Sequence, residues 1–192
     1  CWDILGQYLK VPIYQLLGGK VRDKIKVYAN GWYSGERSPE NFAKKAKFLS
    51  SKGYQALKFD PFGSEHLRLN KESENFIKKI IRSVRDSVGP DVELMIEGHK
   101  RFNVFEAIKI AKWLDEFDVT WFEDPIDNND IDSLIYVSQN SPVRIIAGEG
   151  FDKYKDFTRF ASSNATDIVN PEVIKIGGIG GAIKVANICS SF

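Results

Sequence analysis

Apolar residues along the chain follow two alternating rhythms. Short runs rich in Val, Ile and aromatic residues, at 26–30, 54–59, 92–97, 119–123, 143–149 and 166–169, read as buried strands. Between them apolar positions recur at helical spacing: Phe42, Ala46 and Leu49, then Ile77, Ile80, Ile81 and Val84, then Ala107, Ala111 and Leu114. Ser38 followed by Pro39 supplies a cap and a helix-compatible proline, and Gly53 stops that helix. Gly89-Pro90 ends the next one. Asn103, with Glu106 three residues on, reads as a capping box. Further helices are expected over residues 2–9, about 129–138 and about 153–162, and from the glycines of 177–181 to the end of the chain. Six strands alternating with six helices, with no domain linker, predict an α/β fold with a parallel sheet, either doubly wound or a (β/α)₈ barrel.

Three of the strand runs close on a glutamate, Glu97, Glu123 and Glu149, at intervals of 26 residues. Parallel strands joined by helical crossovers all point the same way, so the three carboxylates emerge at one end of the sheet. The even spacing follows from the length of a βα unit and supports the fold. The residue type points to chemistry, because three acids converging on one face repel one another unless a cation joins them. A divalent metal site is the expectation. Functional residues after several consecutive strands favour the TIM-type barrel over an open sheet, whose site concentrates at one switch point. Six units fall two short of closure, so residues 1–192 are expected to form a partial barrel domain. The start at Cys1 and the end at Phe192, inside a helical pattern, predict a piece of something longer.

Composition narrows the class. With 192 residues, 43% of them hydrophobic, and a net charge of +1, the chain can bury one sizeable core. The balanced charge offers no basic face for nucleic acid. No stretch approaches the roughly 20 apolar residues of a membrane-spanning helix. Cys1 and Cys189 stand far apart without metal-like spacing, which makes a reduced, cytoplasmic protein the expectation.

Further residues at the strand ends could act with the glutamates. His99 stands two residues after Glu97, and in extended backbone those positions face the same side. Lys58 and Asp60 end the second run with the same relation. Lys58 either takes part in catalysis or neutralises a glutamate-rich mouth. Glu172, after the sixth run, is either a fourth carboxylate of the site or an ordinary loop acid. Asp60, Arg101 and Asn30 could contact a substrate. The glycines at 177, 178, 180 and 181 lack both the GxGxxG spacing of a dinucleotide site and the GxxxxGK[ST] of a phosphate loop, so they read as a tight strand-to-helix turn.

Several segments together carry a resemblance: Trp2-Asp3-Ile4, Pro12–Gly19, Tyr28–Trp32, Phe122-Glu123-Asp124-Pro125, Ala147-Gly148-Glu149 and Lys175–Gly178. They resemble the barrel of the enolase superfamily, mandelate racemase branch. Ala56–Gly63 and Ile96–Asn103 are most similar to acid-sugar dehydratases of the D-gluconate type. The resemblance implies that Glu97, Glu123 and Glu149 bind Mg²⁺, and that His99 is the general acid. It also implies that Glu172 takes the place of an aspartate which orients a histidine base from the next strand. That histidine would lie beyond Phe192, as would the last barrel strands, and a lid domain would lie mostly before Cys1. The implied reaction is dehydration of an aldonate such as gluconate or galactonate, through an ene-diolate, to a 2-keto-3-deoxy acid. A small sugar acid is the implied partner, and a homo-oligomer the implied assembly. Asp60 stands where racemases of the branch carry a second lysine. That disfavours a racemase or epimerase, which stays open beside a non-catalytic barrel remnant.

Overall fold

The computed structural model describes all 192 residues. Five parallel strands, β1 (Ala56–Phe59), β2 (Glu93–Glu97), β3 (Val119–Glu123), β4 (Arg144–Ala147) and β5 (Ile168–Val169), form one sheet in sequential order. Eight α-helices accompany them: α1 (Trp2–Leu9), α2 (Ile13–Leu16), α3 (Pro39–Ser51), α4 (Lys71–Val88), α5 (Val104–Leu114), α6 (Ile131–Gln139), α7 (Phe157–Ser162) and α8 (Gly178–Cys189). From β1 onward strand and helix alternate without exception, the layout of a partial β/α barrel. No helix is long and apolar enough to cross a membrane.

Local sequence accounts for most of these boundaries. The Ser38 hydroxyl accepts from the backbone N–H of Asn41, and the Asn103 side chain accepts from that of Glu106. The capping box at Asn103 is only half formed, because the Asn103 N–H donates to Leu67 O while the Glu106 carboxylate turns to Lys109. Helix α4 buries Ile77, Ile80, Ile81 and Val84 completely, and α3 packs along it. Strands β1 to β4 supply Leu57, Phe59, Leu94, Ile96, Phe122 and Ile145, and one continuous apolar cluster joins them to the helices. Gly177 and Gly178 take left-handed φ angles of 98° and 71° where the chain turns into α8. Gly181 then lies so close to the Ile176 carbonyl that a side chain there would collide with it. The glycine-rich segment is therefore a packing turn.

Six strands were expected and five form. Residues 26–30 make a single parallel bridge, Ala29 to Leu57, through two backbone hydrogen bonds of 2.9 Å. Nothing pairs with the other side of this segment, and Ile25 and Val27 face solvent, so no ladder propagates. Both cysteines are free.

The register matters for the site. Glu97 lies opposite Glu123, and Glu123 opposite Ile146, so Glu149 stands three residues past the ladder on the β4 side. An irregularity between Leu94 and Met95 lets β3 gain a residue, pairing Leu94 with Val119 and Met95 with Trp121. That extra residue brings both glutamates to the same level at the strand ends.

Candidate active site

Lys58, next to last in β1, is buried and extends its ammonium between two carboxylates. Nζ lies 2.8 Å from Glu97 Oε2 and 2.7 Å from Glu123 Oε2. The remaining oxygens are also occupied: Glu97 Oε1 accepts from the His99 N–H, and Glu123 Oε1 from the Asn170 side-chain amide at 2.8 Å. Burial alone would lower the Lys58 pKa, but its hydrogen bonds to Glu123 and Glu97 outweigh that and raise it, so the lysine is firmly charged. Burial and then the neighbouring Glu97 push Glu123 above the ordinary carboxylate value.

A second lysine serves the next strand end. Lys100 Nζ stands 3.5 Å from Asp124 Oδ2 and 3.4 Å from Glu149 Oε1. Asp124 is fully buried; its Oδ1 accepts from Asn128, whereas Oδ2 has no hydrogen-bond donor. Burial pushes its carboxyl up to about 7. Glu149 moves the other way, since Lys100 overcomes the effect of its partial burial. The Lys175 ammonium donates to the Glu149 carbonyl.

His99 belongs to a third group. Its Nδ1 lies 2.9 Å from Asp60 Oδ2, and Arg101 Nη2 meets the same oxygen at 2.5 Å. The other Asp60 oxygen accepts from the Phe62 N–H. The imidazole is half exposed, held on one side only. The expectation that His99 would share the direction of Glu97 through extended backbone is corrected here. The chain turns after Gly98, His99 has φ 50°, and the ring reaches across to the end of β1 instead.

Other expected residues fall differently. Arg101 spends its donors on Asp60 and on the carbonyls of Gly98 and Gly63. The Asn30 side chain accepts from the N–H of Gly31 and is exposed. Glu172 accepts from the Ile174 N–H in its own turn, consistent with a loop acid. Sequence reasoning missed Lys100, Asp124 and Asn170. The adjacency of Asp124 to Glu123 was a usable signal for one of them, while the two cross-strand partners had none.

The donor set suits a hard divalent cation, which takes carboxylate oxygens. Two buried glutamates from neighbouring strands already converge on one positive charge, the position a metal ion would contest. The third is not gathered with them: no group of three acids, histidines or cysteines is assembled in metal-holding geometry, and Glu149 instead faces the Lys100 ammonium at 3.4 Å.

A partial β/α barrel with carboxylates and lysines interleaved at successive strand C-termini defines a domain built to carry a site on that face. The chain belongs to the Enolase C-terminal domain-like family, which it matches over residues 41–192. It is 39% identical to a D-gluconate dehydratase of Thermoproteus tenax, over all of this chain and 38% of that protein. It is 37% identical to a D-gluconate/D-galactonate dehydratase of Picrophilus torridus, over all of this chain and 49% of that protein. A mandelate racemase/muconate lactonizing enzyme structure from Jannaschia sp. CCS1 superimposes with a TM-score of 0.91 at 28% identity, covering 100% of this chain and 52% of that one. The chain thus spans about half, or less, of the length of these relatives.

Proposed function

We propose that the chain carries one part of the active site of a Mg²⁺-dependent sugar-acid dehydratase, acting on an aldonate such as gluconate or galactonate and giving a 2-keto-3-deoxy acid. The observation that carries this reading is the pairing of two chemistries on one face. A buried Glu97–Lys58–Glu123 cluster lies beside an imidazole held by Asp60. The names of the similar dehydratases supply the substrate class.

Glu97, Glu123 and Glu149 would hold the ion. When bound it would draw in the substrate carboxylate and offset the charge that develops as a proton leaves the adjacent carbon. The chain's own residues supply the rest. Lys58 places its ammonium between the two buried glutamates and offsets their mutual repulsion. Asp60, itself held by Arg101, fixes the His99 ring through Nδ1, so that Nε2 is the nitrogen left to deliver a proton to a departing hydroxyl. This arrangement also disfavours the racemase reading, since Asp60 is committed to His99 and Arg101 and offers no second base.

The test is His99→Asn in the full-length protein with gluconate and Mg²⁺. Dehydration should fall by about two to four orders of magnitude, the usual worth of a positioned acid. Exchange of the substrate's C2 proton with deuterated solvent, followed by NMR, should persist. Equal loss of both would assign His99 to binding or folding and overturn its role as the acid.

A further inference from the structure

Lys100 has no part in the proposed chemistry, yet its ammonium lies against Glu149, the proposed third ligand. It takes a left-handed φ of 61°, its backbone N–H donates to Asp124 O at 2.7 Å, and its ammonium lies over Gly150. From there Nζ meets both Glu149 and Asp124. Both contacts, at 3.4 and 3.5 Å, are longer than the 2.7 and 2.8 Å bonds of Lys58. The grip is loose, and the lysine is partly open to solvent.

We propose that Lys100 is a built-in counter-cation that competes with the divalent ion for Glu149 and so sets the affinity of the site. The inference rests on the reading of Glu149 as a metal ligand. An ammonium and a metal ion need the same carboxylate oxygens and repel each other, so a lysine on Glu149 opposes binding. Asp124 makes the exchange easy. Its Oδ2 has no hydrogen-bond donor, is buried and lies 3.5 Å from Nζ, so when Glu149 turns toward Glu97 and Glu123 the ammonium keeps an oxygen to which it can donate. Lys100 thereby holds Glu149 aside in the metal-free protein and releases it to a cation that binds strongly enough.

Calorimetric titration of MgCl₂ into metal-stripped protein tests this. Lys100→Met should bind Mg²⁺ about tenfold more tightly than the parent, equivalent to about 1.4 kcal/mol. Lys100→Arg, which keeps the charge, should stay within about twofold. Asp124→Asn removes the alternative partner and should weaken binding, because Lys100 then holds Glu149 alone. Unchanged or weaker binding by Lys100→Met overturns the proposal and makes the lysine an aid in placing Glu149. Should that variant not fold, as judged by thermal melting, Lys100→Gln is read by the same criterion. Failure of the parent to bind Mg²⁺ at all would instead remove the metal site itself.

Discussion

Lys58→Met isolates the electrostatic debt of the site. The substitution keeps the apolar stem and deletes the ammonium, leaving Glu97 and Glu123 facing one gap with almost no access to water. Their Oε2 atoms were 2.8 and 2.7 Å from the same nitrogen. Two unit charges about 4 Å apart repel by about 4 kcal/mol at an effective dielectric near 20. Protonation offers relief. Holding a proton on a glutamate at pH 7, about 2.5 units above its ordinary value, costs about 3.5 kcal/mol. Glu123, already raised by burial and by Glu97, is the one that takes it. Both routes agree with the usual 3–5 kcal/mol for removing one partner of a buried pair. The melting temperature at pH 7, without metal, should fall by roughly 10 °C. The sign with pH follows: an acid whose folded pKa is raised destabilises the fold once the unfolded chain ionises. The deficit should therefore shrink as pH falls from 7 toward 5. With Glu97 and Glu123 as the proposed ligands of the folded state, Mg²⁺ should restore stability more in the variant than in the parent. Thermal melts at pH 5 and 7, with and without 10 mM MgCl₂ (on the order of a saturating concentration), provide the comparison. A loss below about 1 kcal/mol at pH 7, or one that ignores pH, would refute the account.

Two more perturbations probe the frame. Gly98→Ala places a methyl 2.8 Å from Asp124 O and 3.1 Å from Glu123 O, both backbone atoms. It should cost about 1–3 kcal/mol in urea unfolding and weaken Mg²⁺ binding; full retention of both would show that the strand ends yield easily. Glu74, buried between α4 and α5, is held below the usual carboxylate value chiefly by its hydrogen bond from Lys109, with Lys78 at 3.2 Å. A depressed pKa adds stability above the unfolded value that is lost as pH falls through the folded one. Glu74→Gln should thus be about 1 kcal/mol less stable at pH 7, and the gap should narrow as pH falls below the unfolded carboxylate range, as urea curves at pH 7 and in acid will show.

Most of the frame was legible because its signals are local. Ile77, Ile80, Ile81 and Val84 announce α4 by spacing alone, and Ser38 and Asn103 cap where their side chains predict. The three strand-end glutamates were legible for the same reason. What pairs with them was not. Lys58 reaches Glu123 across 65 residues and Asn170 reaches it across 47, contacts fixed by strand register and invisible to any pattern within one segment. The segment at 26–30 failed for the converse reason: its composition suits a strand, but strand formation needs a neighbour on which to propagate.

The turns out of the strands explain why the side-chain directions could not be read either. After β2, His99 and Lys100 both adopt left-handed φ, and after β3 Asp124 does so at 41°. After β4 the corresponding bend falls at Gly148, with φ 133°, where no side chain is present to resist it. Left-handed backbone disfavours any residue with a Cβ by about 1–2 kcal/mol, and it persists only where surrounding bonds hold it. At Lys100 and Asp124 those bonds are visible, Lys100 N to Asp124 O and Asp124 N to Ile146 O. The same geometry that a glycine would adopt freely is imposed on residues carrying an imidazole, an ammonium and a carboxyl. It rotates His99 toward Asp60 and Lys100 toward Glu149, away from the directions extended backbone would give them. The strained positions are therefore the ones that set which charges meet at the mouth of the barrel.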